Sequence, residues 1–98
     1  MLVEMRTYSF GPGGAADYLK AYNGRPRQLQ SEILGRLLGL YQSEVGELNQ
    51  LVFLWGFDSH DERDRRRRAL MADAEFAEFR RGTRHLVLRQ ENRLLSAA

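Results

Sequence analysis

The chain of 98 residues contains no cysteine. Disulfides, thiolate zinc sites and cysteine nucleophiles are thereby excluded. The same absence suits a reducing, cytoplasmic setting. Only two histidines occur, His60 and His85, far apart and without a nearby carboxylate pattern. No metal site is expected from them. No serine lies in a G-x-S-x-G setting, so serine acyl transfer has no support. No window approaches the roughly 18 apolar residues of a membrane span. The opening MLVEMRTYSF has Glu4 and Arg6 inside its apolar stretch, unlike a signal peptide. Internal repeats, linkers and low-complexity segments are absent as well. A soluble, untargeted protein is expected, with no cofactor implied.

Lysine is nearly absent too. Lys20 stands beside fourteen arginines, a bias in keeping with genome composition. The net charge is +2 with a pI near 9.4, but acids and bases interleave. Interleaved charge is weak support for a nucleic-acid partner, and none is expected. A chain of this length makes one domain, residues 1–98. Such a domain buries only roughly 60–68% of its unfolded surface, so a partner subunit would help it.

Residues 2–10 alternate as a strand, with Leu2, Glu4, Arg6, Tyr8 and Phe10 on one face. GPGG at 11–14 is a turn. Ala15, Tyr18, Leu19, Tyr22, Pro26, Leu29 and Ile33 then follow a helical period. Gly24 and Pro26 must kink or split that helix, and Gly35 stops it. Residues 37–44 read as extended, Gly46 as a turn, and Leu48 to Phe57 as a strand. A hairpin across a short VGE connection joins the two. Ser59 and Glu62 form a capping box opening a helix to about Met71. Asp73 caps a further short helix carrying Phe76 and Phe79. The last strand spans His85 to Leu95.

Strand, helix, strand, strand, helix, strand is an α+β, ferredoxin-like βαββαβ order. It places both helices on one face of a four-stranded antiparallel sheet. Yet the strands carry apolar residues on both faces. Leu51, Phe53, Trp55 and Phe57 oppose Val52, Leu54 and Gly56. An uncovered apolar sheet face implies a partner, and face-to-face pairing gives a two-fold homodimer.

Glu4, Arg6 and Tyr8 share a face of a strand expected to be central, where polar groups are unusual. One reading is a pocket wall: arginine binding an anion, glutamate orienting it or acting as base, tyrosine donating. The other is an internal ion pair that fixes strand register or the dimer interface. Gln90 and Asn92 share a face of the last strand, which should neighbour the first. Asn49 and Trp55 lie on one face about 20 Å apart, so they cannot both grip a very small ligand. GPGGAA fits G-x-G-x-x-A, but the chain is too short for a βαβαβ unit and Pro12 removes a backbone donor. RDRRRR at 63–68 reads as a solvated helix face, with Asp61–Arg65, Glu62–Arg66 and Asp64–Arg68 at pairing distance along the helix.

MLVEMRTYSF, GELNQLVFLW, DERDRRRRAL, DAEFAEF and QEN, in that order over nearly the whole chain, resemble the NIPSNAP family. The resemblance implies a dimeric α/β barrel and no assigned reaction. It points to Glu4, Arg6 and Tyr8, to Asn49, Gln50 and Trp55, and to Gln90, Glu91 and Asn92. Phe53 stands where the family usually has histidine, so proton transfer or metal ligation there is not expected. The expected function is binding of a small organic molecule in a pocket of the barrel. Contacts would come from Arg6, Tyr8, Asn49, Trp55, Gln90 and Asn92, with the tyrosines of the first helix as apolar wall. The alternatives are a cofactor-independent enzyme of monooxygenase or isomerase type using Glu4 or Tyr8, and a protein-interaction module using the arginine helix.

Overall fold

In chain order the computed structural model runs β1 (Leu2–Phe10), α1 (Gly14–Tyr22), α2 (Arg25–Leu34), β2 (Arg36–Gln42), β3 (Gln50–Phe57), α3 (His60–Ala72), α4 (Ala74–Thr83), one 3₁₀ turn (Arg84–Leu86) and β4 (Val87–Ser96). The strands form one antiparallel sheet in the order β2-β3-β1-β4. This is the ferredoxin-like α+β arrangement. The two central strands pair Leu2 with Phe57, Glu4 with Trp55, Arg6 with Phe53 and Tyr8 with Leu51. All four β3 partners in that row are buried beneath the helices. Their burial is the main stabilising term, roughly 1.5–3 kcal/mol for each large apolar side chain.

Phe53 packs against Tyr8 and Tyr22 with ring centroids 5.4 and 5.3 Å away. Tyr22 in turn stacks on Tyr18 at 5.9 Å. Aromatic rings from β1, β3, α1 and α4 thus make one continuous core layer.

The first helical segment is split rather than kinked. It breaks at Asn23 and Gly24, where Gly24 takes φ 141°. Pro26 falls in the first turn of α2, where a missing N–H leaves no bond unmade. Ser59 and Asp73 cap α3 and α4 as their sequence suggests, accepting from the Glu62 and Phe76 amides at 3.1 and 2.9 Å.

Two expectations about the strands are corrected. The hairpin loop covers residues 43–49, not a short VGE connection, because Gln42 is the last β2 residue paired with β3. β3 therefore starts at Gln50 rather than Leu48. Asn49 sits at φ 58°, a left-handed conformation that cannot continue a strand ladder. β4 starts at Val87, since Arg84–Leu86 turn as a 3₁₀ segment before the chain extends.

On the face away from the helices lie Val3, Met5, Val52 and Leu54, all only half-buried. Tyr41 and Leu95 on the same face are exposed. The outer end of the Tyr41 ring lies over Gly39, where a Cβ would come within 2.5 Å of it. Glycine is the residue that admits this approach. No helix is long and apolar enough to cross a membrane.

Candidate functional site

Glu4 is fully buried in the middle of the sheet. One of its oxygens, Oε2, accepts from Arg6 Nη1 at 3.1 Å and from Arg63 Nη2 at 2.8 Å. Burial pushes the carboxyl up. The hydrogen bond from Arg63 and the charges of Arg6, Arg67 and Arg63 outweigh it and hold Glu4 below the usual glutamate range. Glu4 is therefore a carboxylate already shared by two guanidinium groups. Arg6 extends beyond it, donating from Nε to the Tyr8 hydroxyl at 3.0 Å, with its charge 5.7 Å from the centre of the Tyr8 ring. Burial pulls the Arg6 pKa down, but Tyr8 and Glu4 more than restore it.

The arginine run of α3 is not a wholly solvated face. Arg63, Arg66 and Arg67 are half-buried, while Arg65 and Arg68 are exposed. A step of 100° per residue brings positions 63, 66, 67 and 70 onto one stripe, and Leu70 is the buried residue of that stripe. Arg63 reaches Glu4. Arg66 donates to the Ile33 carbonyl at 3.1 Å, closing the C-terminal end of α2. Of the expected pairs along the helix, only Glu62–Arg66 forms, at 3.7 Å. Asp64 is drawn instead to Arg63 at 3.1 Å, because Arg63 is held in place by Glu4.

Between this stripe, α4 and the β1–β4 half of the sheet lies a cavity of about 450 Å³. Sites for small molecules commonly span about 300–1,000 Å³. Arg6, Tyr8 and Gln90 form its floor; Arg67, Leu70 and Met71 come from α3; Phe76, Ala77, Arg80, Arg81 and Thr83 come from α4. Tyr18, Gln30, Arg84 and Val87 complete the lining. Burial pushes the Tyr18 phenol far up, so it faces the cavity as a neutral group. Tyr22 is raised by burial in the same way and donates to Gln30 Oε1 at 2.6 Å. That bond leaves the Gln30 amide nitrogen as a further donor. No grouping of three or more histidine, aspartate or glutamate side chains is placed to hold a metal.

The structure brings Arg6, Tyr8 and Gln90 together in this cavity. It places Glu4 behind Arg6, outside the lining. Asn92 pairs with Arg6 across the strands but is exposed beyond the cavity. Trp55 is fully buried in the core, next to Glu4 on one side and Leu37 on the other. Asn49 serves the fold: its carbonyl accepts from Phe10 N at 2.8 Å and its side chain from Gly13 N at 3.3 Å. Of the other polar positions, Gln50 joins Ser9 and Glu47 in a hydrogen-bonded cluster on the open side of the sheet. Glu91 pairs there with Arg89. Arg67, Arg80, Arg84 and Phe76 were not anticipated as site residues. Arg67 shares the stripe of Leu70, but with arginines all round α3 no sequence signal marks that stripe as the inward one.

Four antiparallel strands with helices on one face define a ferredoxin-like α+β domain with an arginine-lined cavity between sheet and helices. The sequence profile of the NIPSNAP family matches residues 3–98, and the chain belongs to that family. A NIPSNAP family protein with unknown function from Agrobacterium tumefaciens is 37% identical, with a TM-score of 0.96 over 100% of this chain and 88% of that one. An uncharacterized NIPSNAP-like domain protein from Burkholderia xenovorans is 35% identical, with a TM-score of 0.95 over 99% and 84%. An antibiotic biosynthesis monooxygenase has a TM-score of 0.68 over 100% of this chain and 99% of that chain at 14% identity, a likeness of fold alone. No curated protein matches the chain.

Proposed function

We propose that this protein is a homodimeric binding domain for a small organic molecule, held in the cavity between the sheet and helices α3 and α4. The observation that carries the reading is the cavity itself, about 450 Å³, into which the unusual polar face of a central strand opens through Arg6 and Tyr8. A polar row in a sheet centre is costly to bury and is retained where it serves either specificity or a ligand. Here the row divides. Glu4 is consumed by ion pairing, while Arg6 and Tyr8 remain at the cavity surface. Gln90 joins them, and Tyr18 supplies an aromatic wall.

The second copy is argued from the open face. Val3, Met5, Val52, Leu54, Tyr41 and Leu95 form an apolar surface that no element of the chain covers. A two-fold pairing of that face with itself buries the same residues on both protomers. The cysteine-free composition supports a cytoplasmic setting for the dimer.

A catalytic variant of the same reading rests on Tyr8, whose hydroxyl accepts from Arg6 at the cavity wall. Glu4 is a poor base for it, being an ion-paired carboxylate outside the lining. Of the arginines on α3, Arg65 and Arg68 are the ones exposed to a protein partner, since Arg66 is bonded to the Ile33 carbonyl.

Native mass spectrometry of the freshly purified protein tests both parts. A dimer carrying excess mass is the expected result, and Arg6→Ala should lose the excess mass and keep the dimer. A monomer at micromolar concentration would remove the pairing. Excess mass retained by Arg6→Ala would remove the arginine from the site.

A further inference from the structure

Five arginines line the cavity, Arg6, Arg67, Arg80, Arg81 and Arg84, and no aspartate or glutamate does; Arg6, Arg67 and Arg80 are half-buried, while Arg81 and Arg84 are exposed. Arg6 and Arg63 share the one buried acid, Glu4. Arg81 pairs with Glu78 on its own helix. Arg67, Arg80 and Arg84 make no ion pair anywhere in the chain. Two of their donors, Arg67 Nη1 and Arg80 Nε, are buried without any hydrogen-bond partner. Buried charge is normally paired, and an orphaned buried donor costs folding free energy. Positive charge has therefore been gathered on the walls of a cavity in excess of what the fold neutralises.

Arg67 on α3 and Arg80 on α4 face the cavity together with Arg6 on the sheet floor. Apolar and aromatic surface stands beside them, from Tyr18, Leu70, Phe76 and Val87. Planar guanidinium forks match the geometry of carboxylate and phosphate oxygens. A ligand filling this space meets guanidinium groups and apolar or aromatic side chains together.

We propose that the cavity takes an organic oxyanion, a carboxylate or phosphate on a flat apolar body, with the anion held by Arg6, Arg67 and Arg80 and the body against Tyr18, Leu70 and Phe76. The proposal rests on the small-molecule reading above and names the chemical class of that ligand. Arg67 is its most exposed point of test. Burial, and then the nearby charge of Arg6, pull the Arg67 pKa down. The Glu4 charge pulls the other way without a hydrogen bond between the two. If Arg67 served the fold through Glu4, removing its charge would destabilise the protein. If it is held for a ligand, removing it relieves repulsion in the empty site.

The test uses three probes of one shape, 2-naphthoate, 2-naphthyl phosphate and 2-naphthamide, with inorganic phosphate as control. Binding to the full chain is read by isothermal titration, and stability by the thermal midpoint without probe. At least one anionic probe should bind tenfold or more tighter than the amide and than inorganic phosphate. The tighter of the two anions identifies the head group. Arg67→Gln should weaken that anion about tenfold or more, the scale of a lost charge-assisted bond. It should also leave the thermal midpoint unchanged or higher by a few degrees. Equal binding of amide and anions would overturn the oxyanion assignment while leaving a small-molecule site. Inorganic phosphate binding as tightly as naphthyl phosphate would overturn the apolar half. A lowered midpoint for Arg67→Gln with anion affinity unchanged would make Arg67 a structural partner of Glu4 and overturn its role here. Binding by none of the naphthyl probes would overturn the assignment; the small-molecule reading would survive if native mass spectrometry still showed excess mass, and would fall with the assignment if it did not.

Discussion

Glu4→Gln removes the one buried negative charge from the middle of the sheet and keeps its shape. In the native protein a single carboxylate oxygen lies 2.8 Å from Arg63 and 3.1 Å from Arg6, and Glu4 is fully buried. The amide oxygen of glutamine can still accept one of these bonds, but it cannot offset two guanidinium charges and the nearby Arg67. Removing one partner of a buried ion pair typically costs about 3–5 kcal/mol. The Arg6 and Arg63 side chains are 14% and 20% exposed. Water can therefore relax part of the imbalance, and the lower end, about 3 kcal/mol at pH 7, is expected. Urea unfolding at a fixed protomer concentration measures it. With a slope of roughly 1–3 kcal/mol per molar, the midpoint should fall by about 1–3 M. The pH dependence supplies a second reading. The folded Glu4 carboxyl lies below its ordinary value, so its pairing stabilises the protein above the unfolded value of about 4.3. That contribution fades as the pH falls through the lower folded value. The gap between wild type and Glu4→Gln should therefore shrink towards acid. A loss under about 1 kcal/mol at pH 7, or a gap that stays constant down to pH 3, would refute the account of Glu4 as the counter-charge of the sheet.

Three other outcomes follow from the packing. Phe53→Ala should cost about 3–5 kcal/mol by thermal or urea unfolding, since the ring is 2% exposed and packs on Tyr8 and Tyr22. Gly39→Val should cost only about 0.5 kcal/mol or less by urea unfolding, because the atoms it meets are the outer end of the exposed Tyr41 ring, which can turn away; a loss above about 2 kcal/mol would show that ring to be pinned. Asn49→Gly keeps the left-handed backbone and loses only the bond from Gly13, so it should cost about 0.5–1.5 kcal/mol, with Asn49→Val clearly worse. Equal losses for the two would contradict the turn role of Asn49, and loss of cavity binding in Asn49→Gly would return it to the site.

The sequence determined the element order, because each signal for it is local. Alternation in residues 2–10 and 51–57, the caps at Ser59 and Asp73, and the break at Gly24 all act within a few residues. Alternation also put Glu4, Arg6 and Tyr8 on one face of a central strand. It could not say which of them the cavity would take, since that depends on what crosses above the sheet. Only the tertiary structure brought Arg63 across 59 residues to Glu4, turning one acid into a counter-charge shared with Arg6, which stands at the surface of the cavity. The same packing divided the arginine run. A helix with five arginines between positions 63 and 68 carries charge all round, so its periodicity names no buried side. The sheet, and the acid within it, selected that side. That Gln90 lines the cavity while Asn92, on the same face of β4, is exposed outside it likewise depends on how the helices pack over the sheet.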